Sequence, residues 1–174
     1  MRESTDFETF YRETHPRLWA YLTTGSGDRA LAEEVAQEAF VRLLASRGAY
    51  LPDDQRRAYL FRIAENLLRD GSRRRRREAP LDGAIEAVLE ARPGACGGVD
   101  GAVERAEGLD AGRALRVVSA RQRRLLWLAY VEEHSHVEIA RILSLAPGSV
   151  RVLLHRARRR FAAAYRTETN DDSS

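Results

Sequence analysis

Apolar residues recur at helical spacing along most of this chain, and nowhere does strict alternation persist long enough to build a sheet. Residues 6–22 place Phe7, Phe10, Tyr11, Leu18 and Tyr21 on one side. His15-Pro16 interrupts them, which predicts a kinked helix or two short ones, ended by Gly25-Ser26-Gly27. Asp28 is placed to cap a second helix from Arg29 to about Ser46, with Leu31, Val35, Ala39 and Leu43 as its apolar arc. A third begins near Asp53 and runs at least to Asp70, burying Leu60, Ile63, Ala64 and Leu67, with Gly71 as a possible end. Pro80, Pro93 and five glycines make residues 79–101 poorly periodic, as a linker is, with a weak helix possible at 82–91. Helical spacing returns from about Ala102, through Leu109, Leu115 and Val118. Ser119 to Gln122 and Ser135 to Glu138 have the spacing of capping boxes. The fold class expected is all-α: two small helical domains, residues 1–78 and 102–166, joined by a flexible linker and followed by a disordered acidic tail at 167–174.

The last two helices are the more specific signal. After Ser135 to Leu143 and the turn Ser144-Leu145-Ala146, Pro147 stands where a first helical residue would be. Val150, Leu154, Ala157 and Phe161 then fix an inward face. Ser149, Arg151, Val152, His155, Arg156, Arg158, Arg159 and Arg160 point outward, and residues 139–166 contain no acid. A short helix, a tight turn and an arginine-faced helix form the pattern of a helix-turn-helix major-groove reader.

Charge sharpens this division. The 174 residues carry a net charge of +3, and every one of the 29 basic residues is arginine. Residues 55–79 hold nine arginines against three acids and residues 113–166 hold twelve against three, whereas residues 80–112 hold two against seven. Two basic islands on acidic ground suggest two polyanion contacts. In the first island Arg62, Asn66, Arg69 and Arg73 share one helix face, suited to phosphate or an unpaired base, with Tyr59 and Phe61 nearby. Phe61 is the better candidate for the core.

The motif Tyr59-Leu60-Phe61-Arg62-Ile63-Ala64 with Asn66-Leu67, Asp70 and Arg73 onward resembles the segment of extracytoplasmic-function (ECF) sigma factors that captures the melted minus-ten promoter element. Val137-Glu138-Ile139-Ala140-Arg141-Ile142-Leu143, Pro147-Gly148-Ser149-Val150-Arg151 and Leu154-His155-Arg156-Ala157-Arg158 resemble the family's minus-thirty-five-reading domain. The family usually has Gly at Ser144, Thr at Ser149, Ser at Val152 and Arg at Leu153. The helix from Asp28 to Leu44 resembles the one that docks on the polymerase clamp. The resemblance implies a sigma factor that directs core RNA polymerase to promoter DNA. Arg57, Tyr59, Arg62, Asn66, Asp70, Arg73 and Arg74 would then lie at the minus-ten surface. Glu34, Gln37, Glu38 and Val41 would face polymerase, and an anti-sigma factor is the antagonist that family habit implies. The alternative is a stand-alone helix-turn-helix transcriptional regulator.

Other chemistry finds little footing. His15, His134, His136 and His155 have no metal-ligand spacing with acids or with Cys96, so no metal, cofactor or catalytic site is expected. His134 and His136 read as surface residues or neighbours of a helix cap. One cysteine excludes an internal disulfide. No apolar run reaches 18 residues and Met1-Arg2-Glu3-Ser4 lacks a signal-peptide layout, so a soluble cytoplasmic protein without membrane insertion is expected.

Overall fold

The computed structural model describes residues 2–78, 115 and 117–171, and among these every regular element is a helix. The whole linker 79–101, with Cys96 and the weak helix at 82–91, and most of the helical run from Ala102 lie outside the described residues. Helix α1 spans Arg2–Ser26, α2 Arg29–Leu44 and α3 Asp53–Glu78, with a 3-10 turn at Arg47–Tyr50 between the last two. Helix α4 spans Ala120–Tyr130, α5 His136–Leu143 and α6 Ser149–Asp171. No described helix is long and apolar enough to cross a membrane.

Local chemistry sets the boundaries. The Asp28 carboxylate accepts from the Leu31 amide at 3.0 Å, opening α2. Reciprocal capping boxes open α4 at Ser119/Gln122 and α5 at Ser135/Glu138. Three expectations need narrowing or correction. Of the two forms expected for α1, two short helices are excluded: it runs as one helix through Pro16, because Phe10 on one side and Leu18, Tyr21 and Leu22 on the other all enter the same core, and a break would forfeit one of those faces. Helix α3 continues past Gly71 to Glu78, at a propensity cost of about 1 kcal/mol relative to alanine. Pro147 lies in the turn that precedes α6, where the Ser149 amide donates to the Ala146 carbonyl.

One apolar core runs through both halves. Phe10, Leu18, Tyr21 and Leu22 of α1 meet Val35, Ala39, Phe40 and Leu43 of α2, and Leu60, Phe61, Ala64 and Leu68 of α3. The stripe of α3 is therefore rotated from the one expected, with Phe61 and Leu68 buried and Ile63 and Leu67 only half-buried. Leu125 and Leu128 of α4, Ile139 and Ile142 of α5, and Val150, Leu154 and Ala157 of α6 belong to the same cluster. Helix α4 packs on α1 and α5 on α3, so the two units share a seam.

Polar groups tie that seam. Buried Arg123 donates to the carbonyls of Thr24 and Val118 at 2.9 and 2.8 Å. Arg17 pairs with buried Glu132 at 3.1 Å and donates to the Val131 carbonyl at 2.7 Å. Glu65, also buried, accepts from the Tyr21 hydroxyl at 2.6 Å and lies 3.4 Å from Arg124 Nε. Burial, and secondarily the Glu65 charge, pushes the Tyr21 hydroxyl well above its ordinary pKa and keeps it a donor. Arg124 crosses α1 where that helix has no side chain: a Cβ built on Gly25 would lie 2.6 Å from Arg124 Cδ.

Candidate nucleic-acid interface

Helix α3 carries the first set of candidate residues. Arg62, Asn66, Asp70, Arg73 and Arg74 are exposed, while Arg57 and Tyr59 are half-buried. The Tyr59 ring lies over Gly48, where an added Cβ would stand 2.4 Å from Cδ1; the 3-10 turn thus fixes the ring through its bare backbone. Phe61 is fully buried against Tyr21, with ring centroids 5.1 Å apart, and so is not a stacking surface.

The seam changes what α3 offers. Tyr59 and Arg62 line a cavity of about 230 Å³ whose opposite wall is Glu138, Arg141 and Ile142 of α5. Arg69, which shares the arginine face in sequence, donates to the Leu143 carbonyl and the Ser144 hydroxyl, each at 3.1 Å. In this arrangement part of the α3 face is occupied by the first helix of the helix-turn-helix.

Helix α6 is the contrasting case. Val150, Leu154 and Ala157 are buried, while Arg151, Val152, His155, Arg156, Arg158 and Arg159 are exposed and Ser149 is half-buried. The Arg158 guanidinium stands 5.9 Å from the Tyr130 ring centroid, within cation-π range. The turn before α6 explains a departure from the family pattern. Ser144 ends α5 in the left-handed region, at φ 51° and ψ 52°, where glycine is conformationally cheapest.

On α2, Glu34 and Gln37 are exposed, with Gln37 donating to Glu33 at 2.7 Å. Glu38 is half-buried and pairs with Arg42 at 2.7 Å, which partly neutralises the acidic surface. Val41 is 60% exposed and Leu44 54%, and Tyr50 of the 3-10 turn is 78% exposed. Sequence reasoning missed Leu44 and Tyr50, although Leu44 follows Val41 at the i+3 spacing of a shared helix face.

The histidines also needed the fold. His136 is exposed as expected, but His134 is buried at the seam, its ring centroid 5.7 Å from Phe61. Burial lowers its pKa below the ordinary 6.5, against the pull of Glu138 and Glu132. Burial disfavours the ionised Glu138 carboxyl, but hydrogen bonds from the Ser135 hydroxyl and amide outweigh this and hold its pKa below the usual range. Among the described residues no three histidine, cysteine or acidic side chains gather where a metal could be held.

Comparison with known proteins accounts for both basic islands. A family described as Sigma-70 region 2 matches residues 10–78, and one described as Sigma-70, region 4 matches residues 109–161. The chain is 30% identical over 158 residues to the ECF RNA polymerase sigma factor EcfG of Rhodopseudomonas palustris, covering 90% of this chain and 83% of that protein. It is 31% identical over 157 residues to the ECF RNA polymerase sigma factor SigL of Mycobacterium tuberculosis, with 89% and 86% covered. Among solved structures, the sigma factor RpoE from Bartonella quintana, in complex with the anti-sigma factor NepR, shares the fold with a TM-score of 0.66. That match is 23% identical and covers 92% of this chain and 97% of the other. With a region 2 fold ending in an arginine-bearing helix and a region 4 helix-turn-helix behind it, the chain belongs to the ECF sigma factors, which direct core RNA polymerase to promoter DNA.

Proposed function

We propose that this sigma factor divides promoter recognition between α3 and α6, with α2 as its dock on polymerase. The observation that carries the reading is the face of α6: six exposed side chains from Arg151 to Arg159, four of them arginine, over a fully packed inner stripe. Arg158 and Arg159 anchor phosphates, while Arg151 and Val152 face base edges, where a valine methyl suits thymine. On α3, Arg57, Arg62, Asn66, Arg73 and Arg74 hold the melted minus-ten strand beside Tyr59 and Asp70. Glu34, Gln37, Glu38 and Val41, extended by Leu44, meet a basic and apolar surface on core polymerase.

Because α5 covers part of the α3 face, the two units must separate before the minus-ten strand can be held. An anti-sigma factor, the kind of partner with which the Bartonella relative forms a complex, would keep the two units together by binding both. The protein acts by binding, not as an enzyme, and works in the cytoplasm where polymerase is. In vitro transcription with purified core enzyme tests the reading. Wild-type chain supports initiation at its promoter, whereas a Glu38→Arg, Gln37→Ala variant with intact helicity fails to bind core. Undiminished core affinity in that variant would remove the docking role of α2.

A further inference from the structure

Where α3, α4 and α5 meet, the seam opens into a cleft of about 470 Å³ lined by Arg69, Arg73, Arg121 and Arg124, with Glu65 as the sole acid among its lining residues. Two of these arginines come from the first basic island and two from α4, which presents neither of the proposed DNA faces. We propose that this cleft is a binding site for a small free oligophosphate, such as a nucleoside triphosphate, which bridges the two units and holds them closed.

Charge and geometry carry the proposal. Four guanidiniums against one carboxylate leave an excess positive charge in a recess partly shielded from water, where mutual repulsion is less screened than on an open face. Arg73 and Arg121 have no hydrogen-bonding partner among the described residues. Arg124 Nε is buried and makes no hydrogen bond, although it stands in ion-pair range of Glu65 at 3.4 Å. Arg69 is held in place by Leu143 and Ser144 with two of its five N–H groups, leaving the others for a ligand. Planar guanidinium forks match the oxygens of linked phosphates, and the volume leaves room for a sugar and base beyond them. A DNA strand would instead follow the convex α3 face and has no need of Arg121.

Calorimetric titration of the full chain with sodium tripolyphosphate, and separately with a nucleoside triphosphate in the absence of divalent metal, tests the site. One oligophosphate per chain is expected, and tighter binding of the nucleotide would show that the sugar and base are also held. Arg121→Ala, at an exposed position, weakens binding roughly tenfold or more, whereas Arg160→Ala, outside the cleft, changes it less than about twofold. Glu65→Gln, which keeps an acceptor for Tyr21 but removes the negative charge, tightens binding. Equal losses in Arg121→Ala and Arg160→Ala, or several ions bound per chain, would reduce the cleft to generic basic surface and overturn the proposal. So would an equal loss of single-stranded minus-ten DNA binding in Arg121→Ala, because the cleft would then belong to the DNA track.

Discussion

The two arginine-bearing helices spend their charge differently. On α3, Arg56 is buried beneath Phe10 and paired with Asp6, and Arg69 is committed to the end of α5. On α6 the arginines from Arg151 to Arg159 stand in solvent. An arginine in the seam helps hold the fold closed, and opening the seam must break its bonds. One on α6 adds little to the fold and is exposed in the closed form. If α6 reads duplex and α3 holds the single strand, as proposed, the first surface is available in the closed form and the second is conditional on opening.

The largest expected effect breaks the seam itself. Arg123→Ala orphans the Thr24 and Val118 carbonyls and should cost about 2–4 kcal/mol of stability in urea denaturation. Small-angle scattering should show expansion while far-ultraviolet dichroism stays helical; unchanged dimensions would mean that the seam does not depend on that side chain. Next comes α6, where Arg156→Ala should weaken duplex minus-thirty-five binding by roughly 1–3 kcal/mol and leave the unfolding midpoint unchanged. Arg159→Ala should lower the salt slope by about one unit without changing sequence preference. Loss of stability in either variant would erase the contrast between the helices.

A smaller effect follows from His134, which the seam holds neutral. It faces Glu132 and Glu138 on its own side, Arg57 on α3 and Arg17 on α1. Because its pKa is lowered in the closed fold, the opened chain binds a proton more readily. The resulting stabilisation is complete above the ordinary 6.5 and is lost as pH falls below it towards the lowered value. His134→Phe should flatten that dependence between about pH 5 and 7 in fluorescence-monitored denaturation. The smallest change is Ser144→Gly. Relief of the left-handed backbone should stabilise α5 by about 0.5–1 kcal/mol, offset in part by loss of the Arg69 bond to the serine hydroxyl. A net destabilisation would mean that the hydroxyl matters more than the backbone.

Much of each unit could be read from sequence because the relevant forces are local. Asp28, Ser119 and Ser135 cap the helices expected of them, and of the inward stripe Val150, Leu154 and Ala157 are buried as its period requires, while Phe161 beyond them is only half-buried. The candidate arginines of α6 emerge on one face for the same reason. What could not be read depends on residues far apart in the chain. Arg17 with Glu132, Arg123 with Thr24, and His134 on Phe61 carry no mutual spacing signal, so His134 looked like a surface residue until α3 was placed against it. Pro16 left open whether α1 is one helix or two for a related reason: the propensity penalty is local, while the packing that outweighs it is tertiary.

The absence of a side chain at Gly25 has a practical corollary for genetics. Because Arg124 passes so close over that backbone, a larger residue such as leucine at position 25 would act as a wedge that parts the halves while leaving every side chain proposed to face DNA or polymerase as it was. Such an allele would separate regulation from recognition. Its phenotype would report how much of the protein's quiescence is written into its own chain and how much is supplied by an antagonist.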